Sequence, residues 1–140
     1  PKKRYKEMGF IFQNPETHFF YDTIKEELCE KLTKIPEVKL EDLLKRFFKN
    51  IDLLRSPFLL SEGEKRRLSL LMTVFQNKNI LFYDEPTFGQ DSGSITVIRD
   101  LMLELKAMGK IQFIISHDED FIKSLDAKVY LLKDCHLEKV

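Results

Sequence analysis

LSEGEKRRLSLLMTVFQNKNILFYDEPTFGQD, running from Leu60 to Asp91, is the stretch that decides the fold. It opens on a helix start, Ser61-x-Gly63, and continues as an amphipathic run whose apolar stripe is Leu68, Leu71, Met72 and Phe75. A turn through Asn77-Lys78-Asn79 follows, and then the apolar residues Ile80 to Tyr83 stop abruptly at two adjacent carboxylates, Asp84 and Glu85. The continuous apolar character of Asn79 to Asp84 predicts a parallel strand buried on both faces. A Pro86-Thr87 turn then closes on Asp91, with Gly89 allowing the tight bend. Acids delivered by a strand to a sheet edge, beside a phosphate site, suit magnesium binding and water activation.

Working outward, the totals narrow the class. The 140 residues make one domain, 43% hydrophobic and 33% charged, which suits a globular chain and argues against disorder. The formal net charge is zero, so no global field points to nucleic acid or to an acidic membrane, and no nucleic-acid partner is expected. Lys2-Lys3-Arg4-Tyr5-Lys6 is a local basic run that reads as a solvated end. Cys29 and Cys135 are far apart without a CxxC partner, which points away from zinc and from a disulfide framework and fits a reducing compartment. No apolar run approaches the ~18 residues needed to span a bilayer, and no signal peptide is read at the start. Any membrane role is then expected to come through a partner.

Upstream, Met8 to Gln13 predicts a strand ending at Gln13, with Asn14-Pro15 turning the chain out of it. Thr23-Ile24-Lys25-Glu26 is a capping box that opens a helix with Ile24, Leu28 and Leu32 on its apolar face, ended by Pro36. Leu40, Leu43, Leu44, Phe47, Phe48 and Ile51 share one face of a second helix running to about Asp52. Arg55-Ser56-Pro57 breaks the chain before the Leu60 stretch. Ser61-x-x-Glu64 is itself a capping box, which by itself requires nothing beyond a helix start.

Downstream, Ile95, Ile98, Leu101, Met102, Leu105 and Met108 predict a third helix stopped by Gly109. Ile111 to Ser116 reads as another buried strand, which makes a βαβ unit with Ile80 to Asp84 and places His117 at a carboxyl end, where open α/β sheets bind ligands. Asp118 to Leu125 predicts a short helix, and Lys128 to Leu132 and His136 to Val140 two closing strands. His18 and His136 have no comparable setting.

Taken together these stretches resemble the second half of an ABC-type ATPase domain. Leu60-Ser61-Glu62-Gly63-Glu64 is similar to the signature motif and Ile80 to Asp84 to Walker B, with Glu85 at the catalytic glutamate position. Phe88-Gly89-Gln90-Asp91 falls at the D-loop, Phe12-Gln13 at the Q-loop and Ile115-Ser116-His117-Asp118 at the H-loop. Phe12-Gln13-Asn14-Pro15-Glu16, then Phe19-Phe20 and Asp22-Thr23-Ile24-x-Glu26-Glu27, resembles the cobalt-type or energy-coupling-factor subgroup, although His18 stands where that subgroup often has glutamine. The resemblance implies an α/β fold, a partial P-loop NTPase (RecA-like) parallel sheet with an inserted helical subdomain. It divides the chain into 1–21 (core strand and Q-loop), 22–64 (helical subdomain and signature) and 65–140 (core lobe).

The implied cofactors are ATP and Mg2+. Asp84 and Gln13 would be magnesium residues, Glu85 the base or water-polariser and His117 the γ-phosphate sensor. Ser61 and Gly63 would complete the site of a second ATPase domain, and Asp91 would make contacts across that dimer. Glu62 stands where glycine is usual. A carboxylate ~6 Å from a phosphate charge at an effective dielectric of ~20 costs roughly 3 kcal/mol per charge pair, so either it points to solvent or this half-site is weak. No G-x-x-x-x-G-K-[ST] occurs among Gly9, Gly63, Gly89, Gly93 and Gly109. The expectation is a fragment lacking Walker A, inactive alone, of an importer ATPase that docks on a membrane transport subunit at the cytoplasmic face. A non-catalytic half-domain paired with an active ATPase, and a soluble ABC ATPase of DNA repair or translation, are the alternatives.

Overall fold

Three parallel strands set the centre of the molecule in a computed structural model that describes residues 7–31 and 40–140. They are β1 (Met8–Ile11), β2 (Ile80–Asp84) and β3 (Ile111–Ile115), in the order β1-β2-β3. Between them come α1 (Ile24–Lys31), α2 (Leu40–Phe47), α3 (Glu62–Phe75) and α4 (Ser92–Ala107). After β3 come α5 (Glu119–Ser124) and an antiparallel hairpin of β4 (Tyr130–Lys133) and β5 (His136–Lys139). Leu32, Pro36 and the Lys2 to Lys6 run, named above, lie outside the described residues.

The helices form where local chemistry satisfies their ends. Thr23 and Glu26 exchange hydrogen bonds at the start of α1, and Ser61 and Glu64 do the same at the start of α3. Ile24 and Leu28 of α1, Leu43 and Phe47 of α2, and Leu68 and Leu71 of α3 are buried in one apolar cluster, so the inserted helices share a core with the sheet. Gly9 allows a close approach of α3 to β1: a Cβ there would stand 2.8 Å from the Thr73 methyl. Gln112 of β3 donates to the Met102 carbonyl of α4 at 2.8 Å and accepts from the buried Tyr83 hydroxyl at 2.9 Å.

Several boundaries differ from the sequence expectation. β1 ends at Ile11 rather than Gln13, because Asn14 and Pro15 already open a short 3-10 turn, Pro15–His18, with the Asn14 side chain accepting from the Glu16 amide. α2 stops at Phe47 instead of running to Asp52. The carbonyls of Leu53 and Arg55 accept from the Lys25 and Ile24 amides at the start of α1, and that pairing needs an extended chain there. α5 is trimmed by its Asp118 cap. The closing strands sit one or two residues from their expected bounds, around a two-residue turn in which Asp134 and Cys135 both have positive φ.

The larger correction concerns burial. β2 and β3 are not buried on both faces: Leu81 and Tyr83 point into the core, while on the other face Phe113 is 54% and Ile115 65% exposed. Register puts Phe10, Phe82 and Phe113 in one row across the sheet, stacked at centroid distances of 4.8 and 5.0 Å. The apolar run in β2 reflects this aromatic row, since the helices cover one face of the sheet among the described residues. An exposed apolar face and unpaired strand edges favour association. Sedimentation of the 140-residue chain is expected to show concentration-dependent self-association, weakened at least about tenfold in Phe113→Lys. A monomer at all concentrations would contradict this.

Candidate functional site

Because the three strands are parallel, their carboxyl ends reach the same rim. Asp84 closes β2 and Glu85 follows it, Gln13 lies two residues beyond β1, and His117 two residues beyond β3. The Glu85 amide donates to the Ile115 carbonyl at 2.9 Å, which carries the β2–β3 ladder past the strand end. Glu85 sits at φ +49, a left-handed conformation uncommon outside glycine, asparagine and aspartate. Its side chain is 15% exposed and meets the Nδ1 of His117, whose own side chain is 94% exposed. The rim thus presents two carboxylates, a glutamine and an imidazole, with the imidazole open to solvent.

Gln13 and Glu85 are joined from behind by Arg66. One terminal nitrogen donates to the Glu85 carbonyl at 3.0 Å and the other to the Gln13 carbonyl at 2.8 Å. The guanidinium is buried and lies over the Phe88 ring, 5.5 Å from its centroid. Burial pulls the Arg66 pKa down, and the charges of Glu62, Asp84 and Glu85 oppose that pull. An arginine remains a cation under such a shift. Arg67 pins the same helix to the next loop, donating to the Gln90 side chain at 2.9 Å and Ser94 Oγ at 3.0 Å, while Gln90 donates to the Gly63 carbonyl at 3.3 Å.

Ser61 and Gly63 stand at the start of α3. The Ser61 hydroxyl is engaged with Glu64, donating to its carboxylate at 2.9 Å. Glu62 is turned outward, its side chain 78% exposed, and pairs with the Lys65 ammonium at 2.9 Å. Lys65 also holds Glu16 on the 3-10 turn after β1, and both carboxylates raise its pKa, Glu16 foremost. Of the two alternatives for Glu62, the outward one is observed. Asp91 caps α4, accepting from the Ser94 amide and hydroxyl at 2.9 Å each, after Gly89 has made the turn at φ +71. His18 is structural: its Nδ1 meets Ser69 Oγ at 2.7 Å.

Lys65, Arg66 and Arg67 do not emerge from the sequence reading as site residues. The available signal was a basic triplet inside a helix that buries Leu68 and Leu71, since charges kept there need partners.

Among the described residues no three His, Cys, Asp or Glu side chains gather closely enough to cage a metal. Magnesium is commonly held by one or two carboxylates together with phosphate oxygens and waters. The Asp84 carboxylate at the end of β2 suits that need.

Two carboxylates have a pH consequence. Hydrogen bonds from the Ser61 amide hold Glu64 below the usual carboxylate range, and those from the Ser94 amide and hydroxyl do the same for Asp91. Folded values below unfolded ones stabilise above the unfolded pKa, and that stability goes as pH falls through the folded pKa. Urea midpoints are expected to drop from about pH 5 downward, less steeply in the Glu64→Gln, Asp91→Asn double variant. An equally steep acid limb in that variant would contradict this.

Residues 1–88 match the family model described as ABC transporter. The chain is 37% identical over 145 residues to YkoD of Bacillus subtilis (strain 168), named provisionally as an HMP/thiamine import ATP-binding protein. That match takes in 98% of this chain and 26% of YkoD. A Pyrococcus furiosus protein named provisionally as an ABC transporter ATP-binding protein is 31% identical over 133 residues, 91% of this chain and 51% of the relative. Among solved structures, cbiO1 from Clostridium perfringens, titled as part of the ABC transporter complex cbiONQ, matches with a TM-score of 0.72 and 25% identity, over 98% of this chain and 57% of that one. The chain spans about a quarter to a half of the curated relatives' length.

Proposed function

This chain belongs to the ABC transporter family, and from that premise we propose that it is the acid-bearing part of an ATP-hydrolysing domain that powers an importer of the cobalt-type or energy-coupling-factor group. One observation carries the reading: Asp84, Glu85, Gln13 and His117, far apart in sequence, come to one rim of one parallel sheet. Bound ATP with magnesium would supply the phosphoryl group and the charge that screens its oxygens. Asp84 and Gln13 would hold the metal side, Glu85 would take a proton from an attacking water, and His117 would donate to a phosphate oxygen. The open imidazole and the half-enclosed Glu85 carboxylate are in contact, so a change at one is felt at the other.

The division into 1–21, 22–64 and 65–140 belongs to this proposal, as do its partners. A helix start carries unpaired N–H groups and partial positive charge, which suits phosphate. Ser61 and Gly63 would offer that end to a nucleotide held mainly by a second ATPase domain, with Asp91 nearby. An outward Glu62 balanced by Lys65 lessens the repulsion such a phosphate would meet. No helix of the described residues is long and apolar enough to cross a membrane, and the proposed membrane transport subunit is a separate partner on whose cytoplasmic face the domain sits. The import reading draws on the names of YkoD and the cbiO1 complex as well as on the sequence motif.

The 140-residue chain has no G-x-x-x-x-G-K-[ST] loop to cradle phosphates. Purified alone with ATP and magnesium, it is expected to show no turnover above background, whereas the full native protein is expected to hydrolyse ATP. Robust turnover by the isolated chain that disappears in Glu85→Gln would overturn the division of labour proposed, and an inactive full protein would overturn the function.

A further inference from the structure

Arg66 is, with Lys65, one of two buried cations among the described residues, and both of its terminal nitrogens donate to main-chain carbonyls. Those carbonyls belong to Gln13 and Glu85, on loops that leave β1 and β2, and the ring beneath belongs to Phe88 on the turn that leads to α4. Arg66 itself lies in the second turn of α3, which Ser61 caps and whose first turn carries Gly63. One planar group therefore spans the start of α3 and both loops of the rim.

We infer that Arg66 is a positioning residue, which sets the main chains of Gln13 and Glu85 in register with the start of α3 and transmits shifts of that helix start to both. The inference rests on the reading of the rim as an ATP site. The choice of arginine follows from geometry: a guanidinium offers several N–H groups in a rigid plane, so two acceptors on separate loops are fixed relative to each other. A lysine keeps the charge but offers a single nitrogen on a flexible stem, and it cannot hold both carbonyls at a fixed separation. The left-handed backbone at Glu85 makes this support necessary, because a residue held at positive φ persists only where its surroundings over-determine it. The Glu85 amide is fixed by the Ile115 carbonyl, and its carbonyl accepts both from Arg66 and from the Phe88 amide at 3.2 Å, so removing Arg66 takes away one of the two donors on that carbonyl and the one that ties it to α3. Arg67 holds the same helix through Gln90 and Ser94, and α3 is expected to stay folded when Arg66 is replaced.

The test compares the full native protein with its Arg66→Lys and Arg66→Ala variants by two measurements. In ATP hydrolysis, kcat is expected to fall about 10- to 100-fold in both variants while KM for ATP changes less than about threefold. Methylguanidinium should restore part of kcat in Arg66→Ala and do nothing for the unaltered protein, a rescue that a general loss of stability would not give. In amide hydrogen exchange, residues 13–16 and 85–88 should speed up together while residues 98–105, in the middle of α4, keep their rate. Unchanged kcat, or a loss that follows the unfolded fraction and resists methylguanidinium, would overturn the inference, as would exchange that quickens in one loop only. Should the unaltered protein fail to hydrolyse ATP, the reading of the rim fails, and the exchange measurement still decides whether Arg66 links the two loops.

Discussion

Glu85→Gln is expected to lower kcat for ATP at least about 100-fold in the full native protein, with KM little changed and the melting temperature close to that of the unaltered protein. The amide is isosteric with the carboxylate, so the main-chain bonds that place residue 85 are kept: its amide on the Ile115 carbonyl and its carbonyl under Arg66. What the proposed role would lose is a carboxylate able to take a proton from water. Because Glu85 also contacts His117, the same substitution should move the ring resonances of that histidine in NMR spectra. Turnover within about threefold of the unaltered enzyme would remove Glu85 from the chemistry and leave the contact with His117 as a structural one.

A second large effect is expected far from the rim. Glu27 of α1 is fully buried, and one carboxylate oxygen accepts from the Phe20 and Tyr21 amides, the latter at 2.8 Å, while Oε2 has no hydrogen-bond partner. It closes the segment that leads from the rim into the inserted helices. Glu27→Ala strips two N–H groups of their acceptor and leaves a cavity, a loss of about 2–4 kcal/mol in urea unfolding. Glu27→Gln keeps an acceptor and turns the unpartnered oxygen into a donor, with an expected change of about 1 kcal/mol or less. Equal losses in the two variants would contradict this, since glutamine fills the same space and an amide oxygen would then have failed to replace the carboxylate on the two amides.

Glu27 and Arg66 also mark the limit of what the sequence discloses. Interactions between residues three or four apart were legible: Thr23 with Glu26 and Ser61 with Glu64 follow from spacing alone, and both pairs are formed. The acids after β2 and the histidine after β3 were legible as strand ends, since an apolar run that stops at a polar residue marks a rim. Arg66 was not, because its partners lie 19 and 53 residues away and a basic residue in a helix ordinarily reads as solvated. Glu27 was hidden for a different reason: its partners are main-chain amides six and seven residues back, outside any capping spacing, whereas the spacing does give the role of its neighbour Glu26. The run Ile80 to Tyr83 misled on burial, as periodicity cannot tell a strand covered on both faces from one whose second face is an aromatic row. The end of α2 was set by carbonyls at Leu53 and Arg55 that serve a different helix, a tertiary demand with no local trace.

The measurement that bears most directly on the central claim is a crystal structure of the full native protein with ATP and manganese, read by anomalous scattering. The account predicts the metal peak beside the Asp84 carboxylate at the carboxyl rim of β2, with Gln13 on its other side and His117 turned to the terminal phosphate. A peak at the amino ends of the strands, or nucleotide bound with no contact to Asp84, Glu85 or His117, would contradict it.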